Sequence, residues 1–189
     1  MKPTPQFGPY VAIDFETSAN SGACACALGM ARMENLEITA AWYSLIRPAS
    51  RWIQYTRVHG LTWKDLENAP AFNEIWPEVA KFMVGARFLI AHNAGFDRRV
   101  LAECLAAFGL PRVRKPFLCT LRGARRGLRL GSYSLSAVCS HLGIALTHHH
   151  AGSDAAACGQ IHACLTRLGV ADSQMLLGAP SSRTSQDFA

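Results

Sequence analysis

Tyr10-Val11-Ala12-Ile13-Asp14 is an apolar run closed by a charge, and it reads as a buried first strand. Ser18 to Gly22 has loop composition. Ala23–Arg32 and Leu36–Ile46 read as two further strands joined by a tight turn at Glu34-Asn35. In the second of them Ile38, Ala40, Trp42, Ser44 and Ile46 alternate with Thr39, Ala41, Tyr43 and Leu45. Both faces are largely apolar, which predicts strands covered on both sides. Residues 49–70 are mostly irregular, with a short helix over Thr62–Leu66 capped by Thr62. Phe72, Ile75, Trp76, Val79, Phe82 and Met83 keep helical spacing up to Gly85, with a kink expected at Pro77.

Phe88–Ala91 is a short buried strand. Phe96, Val100, Leu101, Cys104, Leu105 and Phe108 then mark an amphipathic helix stopped by Gly109 and Pro111. Phe117–Cys119 reads as another short strand. Thr120–Arg126 and Ser134–Leu142 read as helices, and a last helix runs from Ser153 to Leu168. A three-strand antiparallel opening followed by strand–helix alternation predicts a mixed α/β sheet with helices on its faces. The expected organisation is a flexible lead-in over 1–8, one domain over 9–170 and a tail over 171–189.

Half of the 189 residues are hydrophobic and 17% are charged, which excludes a disordered chain. The formal charge of +6 favours polyanionic partners. Its distribution says more. No acidic residue stands between Glu103 and Asp154, while Arg112, Arg114, Lys115, Arg122, Arg125, Arg126 and Arg129 fall in that span. Such a run suits a phosphate-tracking surface. The seven cysteines have irregular spacings, Cys24-x-Cys26 is no zinc knuckle, and the first residues lack the apolar core of a signal peptide. Reduced thiols and a cytoplasmic location are expected. No apolar run approaches the roughly 20 residues that span a bilayer, so no membrane partner is expected.

Chemistry concentrates in three places. If the first strand continues to Glu16, Asp14 and Glu16 point the same way, with Phe15 turned into the opposite layer. Two carboxylates held that close repel unless a cation lies between them, and a hard divalent ion such as Mg²⁺ or Mn²⁺ suits oxygen ligands. Asp97 follows the strand-end stretch His92-Asn93-Ala94-Gly95-Phe96, in the first turn of a helix whose start faces the carboxyl edge of a sheet. Finally, His148-His149-His150 precedes Asp154. Adjacent histidines do not all converge on one ion without backbone distortion, but His149 on a loop and Asp154 at a helix start can serve one site. An ordinary imidazole titrates near the pH at which a water must be deprotonated.

Asp14-Phe15-Glu16-Thr17, His92-Asn93-Ala94-Gly95-Phe96-Asp97 and His149-x₄-Asp154-Ala155 together resemble, in order and spacing, the three motifs of the DEDDh 3′–5′ exonuclease superfamily. Its members include the proofreading epsilon subunit of DNA polymerase III and RNase T. Ser44-Leu45-Ile46-Arg47-Pro48 and Val58-His59-Gly60-Leu61-Thr62 are similar to family stretches between the first two motifs. Gly95 stands where many members have Ser, and His150 where many have Arg, Asp or Asn.

The resemblance implies an RNase H-like fold with a five-stranded mixed sheet, two divalent cations, and release of mononucleotides from a 3′ end. Asp14, Glu16, Asp97 and Asp154 are then the implied metal ligands and His149 the implied general base. Glu16 and Thr17 lie where members contact the terminal nucleotide. Arg122, Arg125 and Arg126 are candidate phosphate contacts, and Phe15, Phe96 and Tyr133 candidate stacking partners for bases. Single-stranded DNA is the expected substrate, with RNA and a non-catalytic nucleic-acid-binding domain as alternatives. A polymerase subunit and a second copy of the chain stay open as protein partners, as do roles in proofreading, repair and turnover.

Overall fold

The computed structural model describes residues 8–178. Apart from Gly8, the expected lead-in lies outside the described residues, as does the expected tail beyond Gly178. The first apolar run becomes β1 (Tyr10–Thr17), the middle strand of a five-stranded sheet. β2 (Ala25–Glu34) pairs antiparallel with it, and β3 (Glu37–Leu45) pairs antiparallel with β2. On the other side β4 (Phe88–Ala91) and β5 (Phe117–Cys119) continue parallel to β1. The order is β3-β2-β1-β4-β5, the mixed sheet that the pattern predicts.

Eight helices are present among the described residues: α1 (Thr56–His59), α2 (Trp63–Leu66), α3 (Phe72–Phe82), α4 (Gly95–Ala107), α5 (Thr120–Gly127), α6 (Leu135–Leu142), α7 (Ala151–Arg167) and α8 (Asp172–Met175). The period of two in β1 sorts them into layers. Val11, Ile13 and Phe15 face a core closed by α3 and α4, while Tyr10 and Ala12 face a second core closed by α5, α6, α7 and α8. Asp14 and Glu16 share the parity of Tyr10 and Ala12, so they emerge in the α7 layer.

Several local expectations shift. The β2–β3 turn falls at Asn35-Leu36, both with positive φ (52° and 68°), one residue later than the composition suggests. Such left-handed pairs match the twist of a hairpin, and Asn adopts them readily. β3 is not covered on both sides: as the edge strand it is exposed or half-exposed along its length. Its apolar residues are only partly covered, Trp42 against one core and Ile38 against the other. Trp42 donates Nε1–H to Glu78 at 3.1 Å, and Tyr43 stacks on His150 with ring centroids 4.6 Å apart. The stretch over 49–70 contains α1 besides α2. Thr62 stands at the N-cap of α2 as expected, and Asp65 Oδ2 accepts both its N–H (2.8 Å) and its hydroxyl (2.6 Å). α3 runs through Pro77 without ending there.

α7 begins at Ala151, two residues before the predicted start, because His150 caps it: Ser153 N–H donates to His150 Nδ1 at 3.3 Å. The described part of the expected tail, 171–178, is instead folded onto the body. α8 packs against α5, Leu176 bridges Leu118 of β5, and Asp172 binds Tyr10 and His162. All seven cysteines are free, six of them buried, as small apolar side chains. No helix among the described residues is long and apolar enough to cross a membrane.

Candidate active site

Three layers deliver carboxylates to one edge of the sheet. Asp14 and Glu16 come from the carboxyl end of β1, Asp97 from the first turn of α4 on one face, and Asp154 from the first turn of α7 on the other. Carboxylate oxygens of Asp14, Glu16 and Asp154 lie within 4.8 Å of one another. Asp97 is buried just beside them, its Oδ1 accepting the Phe15 N–H at 3.2 Å, so it is tied to the strand backbone between the two β1 acids.

α7 reaches β1 because of a glycine. Gly29 of β2 lies directly opposite Asp14. A Cβ there would sit 2.1 Å from the Ala151 carbonyl oxygen and 2.4 Å from Gly152 N. The amino end of α7 therefore rests on bare strand backbone, and Asp154 is set down over Asp14. A glycine inside a strand marks such an approach, and Gly29 shapes the site although the hydrophobic pattern around it does not single it out.

Both helices carrying the outer acids are entered through left-handed residues, Asn93 (φ 62°) before α4 and His149 (φ 62°) before α7. Strained backbone of this kind gathers at functional sites. The second case also qualifies the expectation for the triple histidine. With the backbone so turned, His148 and His149 do converge with Asp154, their ligand atoms within 4.8 Å and their rings stacked at 3.8 Å. His150 leaves the group to cap α7 and stack on Tyr43. Asp154 Oδ2 accepts the His149 N–H at 3.0 Å and lies 3.5 Å from His148 Nδ1. Asp154 Oδ1 is buried with no hydrogen-bond partner among the described residues.

The electrostatics follow from this crowding. Burial, then the charges of Asp97, Asp154 and Glu16, push the Asp14 carboxyl well above its ordinary range. Burial and Asp154 raise Glu16 to about 7. Burial raises Asp97 to about 7 against its backbone hydrogen bonds. Asp154 is raised too, burial outweighing the neighbouring histidines. The His149 imidazole is lowered by burial and by His148. Four acids that disfavour their own charge, with one oxygen orphaned, suit divalent cations bound through oxygen: the donor set is hard, anionic and convergent.

Two histidines brace the edge. His59 accepts the Leu61 N–H on Nδ1 (3.1 Å), which leaves Nε2–H to donate to the Thr17 carbonyl (3.2 Å). His92 donates Nε2–H to the Tyr133 carbonyl and faces the Thr120 hydroxyl through Nδ1, both at 2.9 Å. Burial lowers both imidazoles, consistent with neutral rings.

The expected substrate contacts are dispersed. Thr17 is buried and clamped by His59. Phe15 is 4% exposed and belongs to the core, so it has no face to offer. Phe96 is half-buried under the Arg99 guanidinium, 5.4 Å from its ring centroid. Tyr133 has its hydroxyl tied to the Leu128 carbonyl and its ring beneath Arg125. Arg122 donates to the Leu176 carbonyl at 2.7 Å, and Arg126 is exposed on α5. The basic run is not one surface. Arg112, Arg114 and Lys115 precede β5 and so lie at the sheet edge opposite the carboxylates, where Lys115 Nζ donates to the Ala86 carbonyl.

A second acid-free stretch, from 38 to 64, carries Arg47, Arg51, Arg57 and Lys64, interleaved with Trp, Ile and Tyr. It is tied to the carboxyl end of β1 through Gln54 to Ser18 and His59 to Thr17.

Residues 11–162 match the RNase T family, described as Exonuclease. The DNA polymerase III PolC-type of Thermotoga maritima is 33% identical over 158 residues, covering 80% of this chain and 11% of that protein. The chain thus spans about a tenth of the length of the curated relatives it matches. Among solved structures, exonuclease X in complex with 5′ overhanging duplex DNA superposes with a TM-score of 0.72 at 23% identity, covering 88% of this chain and 96% of that one. The nuclease domain of 3′hExo, a DEDDh family member bound to rAMP, gives a TM-score of 0.72 at 15% identity with the same coverages. The carboxylate edge, the RNase H-like sheet and the matched span agree: the chain belongs to the DEDDh-type exonuclease superfamily.

Proposed function

We propose that this protein is a metal-dependent 3′–5′ exonuclease that releases mononucleotides from the 3′ end of single-stranded DNA. The observation that carries this reading is the convergence of Asp14, Glu16 and Asp154 within 4.8 Å, beside buried Asp97 and with His149 on the adjoining loop. Asp14, Glu16 and Asp154 would hold two Mg²⁺ or Mn²⁺ ions, and Asp97 would support them from its place on the Phe15 amide. When bound, such a pair of ions activates water and stabilises the leaving oxygen.

The chain's own residues do the rest. Asp154, fixed over Asp14 by the Gly29 contact, sets the spacing of the carboxylates. His149 is held in the left-handed conformation by the hydrogen bond from its N–H to Asp154 Oδ2, and a lowered imidazole is neutral near pH 7, free to take a proton from the attacking water. His59 locks the carbonyl of Thr17, keeping Glu16 at the end of an ordered strand. His148 also reaches Asp154, so the roles of the two imidazoles separate by experiment: His149→Ala is expected to slow hydrolysis by about 10²–10⁴-fold while sparing cation binding, and His148→Ala to do less.

The relatives of PolC type favour DNA over RNA. Incubation of the protein with 5′-labelled single-stranded DNA and RNA, with and without Mn²⁺, tests polarity, sugar preference and metal need together. A ladder shortening from the 3′ end on DNA, only with the cation, is expected. Equal or faster shortening of RNA would make the protein an exoribonuclease, and no shortening of either would return it to a binding role.

A further inference from the structure

Trp52 is 77% exposed, a tryptophan presenting most of its surface to water. It sits in the acid-free stretch between Glu37 and Asp65, next to Arg51 and five residues before Arg57, both exposed. This segment is pinned to the chain just beyond Glu16. Gln54 N–H donates to the Ser18 carbonyl at 2.9 Å, Tyr55 Oη–H donates to Asn20, and His59 holds the Thr17 carbonyl. Two residues of chain span at most about 7 Å, so Trp52 stands close to an anchor two residues past the β1 carboxylate. Arg51 lies over the Trp63 ring at 5.6 Å, and Arg47, Arg51 and Trp63 line a cavity of about 540 Å³ that reaches Ala23 and Ala25 at the start of β2. These groups therefore share the carboxylate edge of the sheet, unlike Arg112, Arg114 and Lys115.

We infer that the 47–58 segment is the track for the strand upstream of the scissile linkage, with Trp52 stacking on a base and Arg51 and Arg57 neutralising the flanking phosphates. The inference deepens the nuclease reading and rests on it. The chemistry matches a single strand. Every base has a π-face for an exposed indole, whereas a paired duplex would hide it, and exposed cations attract the backbone. The free edge of the indole needs no partner from the protein, so truncating Trp52 leaves the fold intact.

Steady-state hydrolysis in Mn²⁺ of a single-stranded oligodeoxynucleotide and of the p-nitrophenyl ester of thymidine 5′-monophosphate separates the two readings. Trp52→Ala is expected to raise KM for the oligonucleotide about tenfold with kcat retained, Trp52→Phe to restore most of the loss, and the oligonucleotide-to-ester ratio of kcat/KM to fall about tenfold. Arg51→Ala and Arg57→Ala are each expected to flatten the log–log salt dependence of oligonucleotide binding by about 0.7, read by fluorescence anisotropy in an Asp14→Asn background in EDTA, which suppresses product formation. A KM for Trp52→Ala within twofold of wild type, while wild type cleaves the ester, overturns the track and leaves the nuclease standing. A wild type inert toward both substrates overturns the nuclease and the track together.

Discussion

Two clusters of polar groups meet β1 at its opposite ends, and they answer the cost of burial in different ways. Where α8 meets β1, Tyr10 Oη–H donates to Asp172 Oδ2 at 2.8 Å and His162 Nε2–H to Asp172 Oδ1 at 2.9 Å. Burial alone would raise the Asp172 carboxyl, but the hydrogen bonds from His162 and Tyr10 outweigh it and hold the group below its ordinary value. At the carboxyl end of β1, Asp14, Glu16, Asp97 and Asp154 are all raised, and Asp154 Oδ1 has no hydrogen-bond partner among the described residues. The first cluster compensates its carboxylate from within the chain, leaving only His162 Nδ1 without a hydrogen-bond partner among the described residues. The second is built to receive its compensation from outside. A buried acid with donors around it reads as structure, whereas buried acids facing one another read as a site.

Breaking each cluster should therefore move stability in opposite directions. Asp14→Asn removes a charge that its neighbours repel. Nucleotide release is expected to fall by about 10²–10³-fold or more, while the Tm of the cation-free protein rises by about 2–4 °C per kcal/mol of repulsion relieved. Calorimetry in EDTA alongside the activity assay checks both. A variant that loses activity and stability together would mean that Asp14 is a structural acid like Asp172.

Gly29→Ala tests the geometry without touching a charge. The added methyl meets the Ala151 carbonyl at 2.1 Å, so the start of α7 must lift from β2, carrying Asp154 away from Asp14. Overpacking of this kind costs about 1–3 kcal/mol, and a displacement of about 1 Å at a reacting centre costs on the order of 10²-fold in rate. A cation titration should weaken in parallel. Full activity with a normal Tm would show that α7 is positioned by other contacts.

Asp172→Asn is the counterpart in the self-compensated cluster. It replaces a charged acceptor shared by Tyr10 and His162 and should lower stability by about 1–3 kcal/mol, seen as a lower urea midpoint. The rate per folded molecule should stay at the wild-type level, because Asp172 lies outside the carboxylate edge. A large loss of kcat in fully folded protein would tie α8 to the site.

The comparison also explains what the sequence disclosed and what it withheld. Asp14 and Glu16 were legible because a strand's period of two is local, and Asp97 and Asp154 because helix starts are marked by the loops before them. Gly29 was hidden inside an apolar stretch, where its meaning depends on Ala151, 122 residues away in the chain. The edge position of β3 was equally invisible, since Ala40, Ala41 and Trp42 look the same whether a helix covers them or not. α1 and α8 have four residues each, too few to show a period. That is why the His59 clamp and the folded-back 171–178 segment emerged only in three dimensions. The basic run after Glu103 drew attention by its density, yet chain direction places its first half at the wrong edge. The sparser cations between Glu37 and Asp65 belong to the segment tied to Thr17 and Ser18, just past the β1 acids.

The smallest effect is the most diagnostic of uncompensated charge. Glu16 titrates near 4.5 in an unfolded chain and is raised to about 7 here by burial and Asp154. Between those values the folded protein holds a proton that the unfolded chain has released, so raising the pH through this window drains stability from the cation-free fold. Glu16→Gln mimics the protonated form at every pH. Its Tm advantage over wild type in EDTA should thus be near zero around pH 4.5, grow up to about pH 7 and level off above it. Comparing the two proteins pH by pH cancels the opposing contribution of His59 and His92, whose lowered imidazoles lose stability as the pH falls. Saturating Mn²⁺ should then reverse the sign at alkaline pH, because the carboxylate ligates and the amide of Gln does so weakly. A Tm difference flat across pH, in EDTA and in Mn²⁺ alike, would mean that Glu16 is solvated and takes no part in a cation-holding edge.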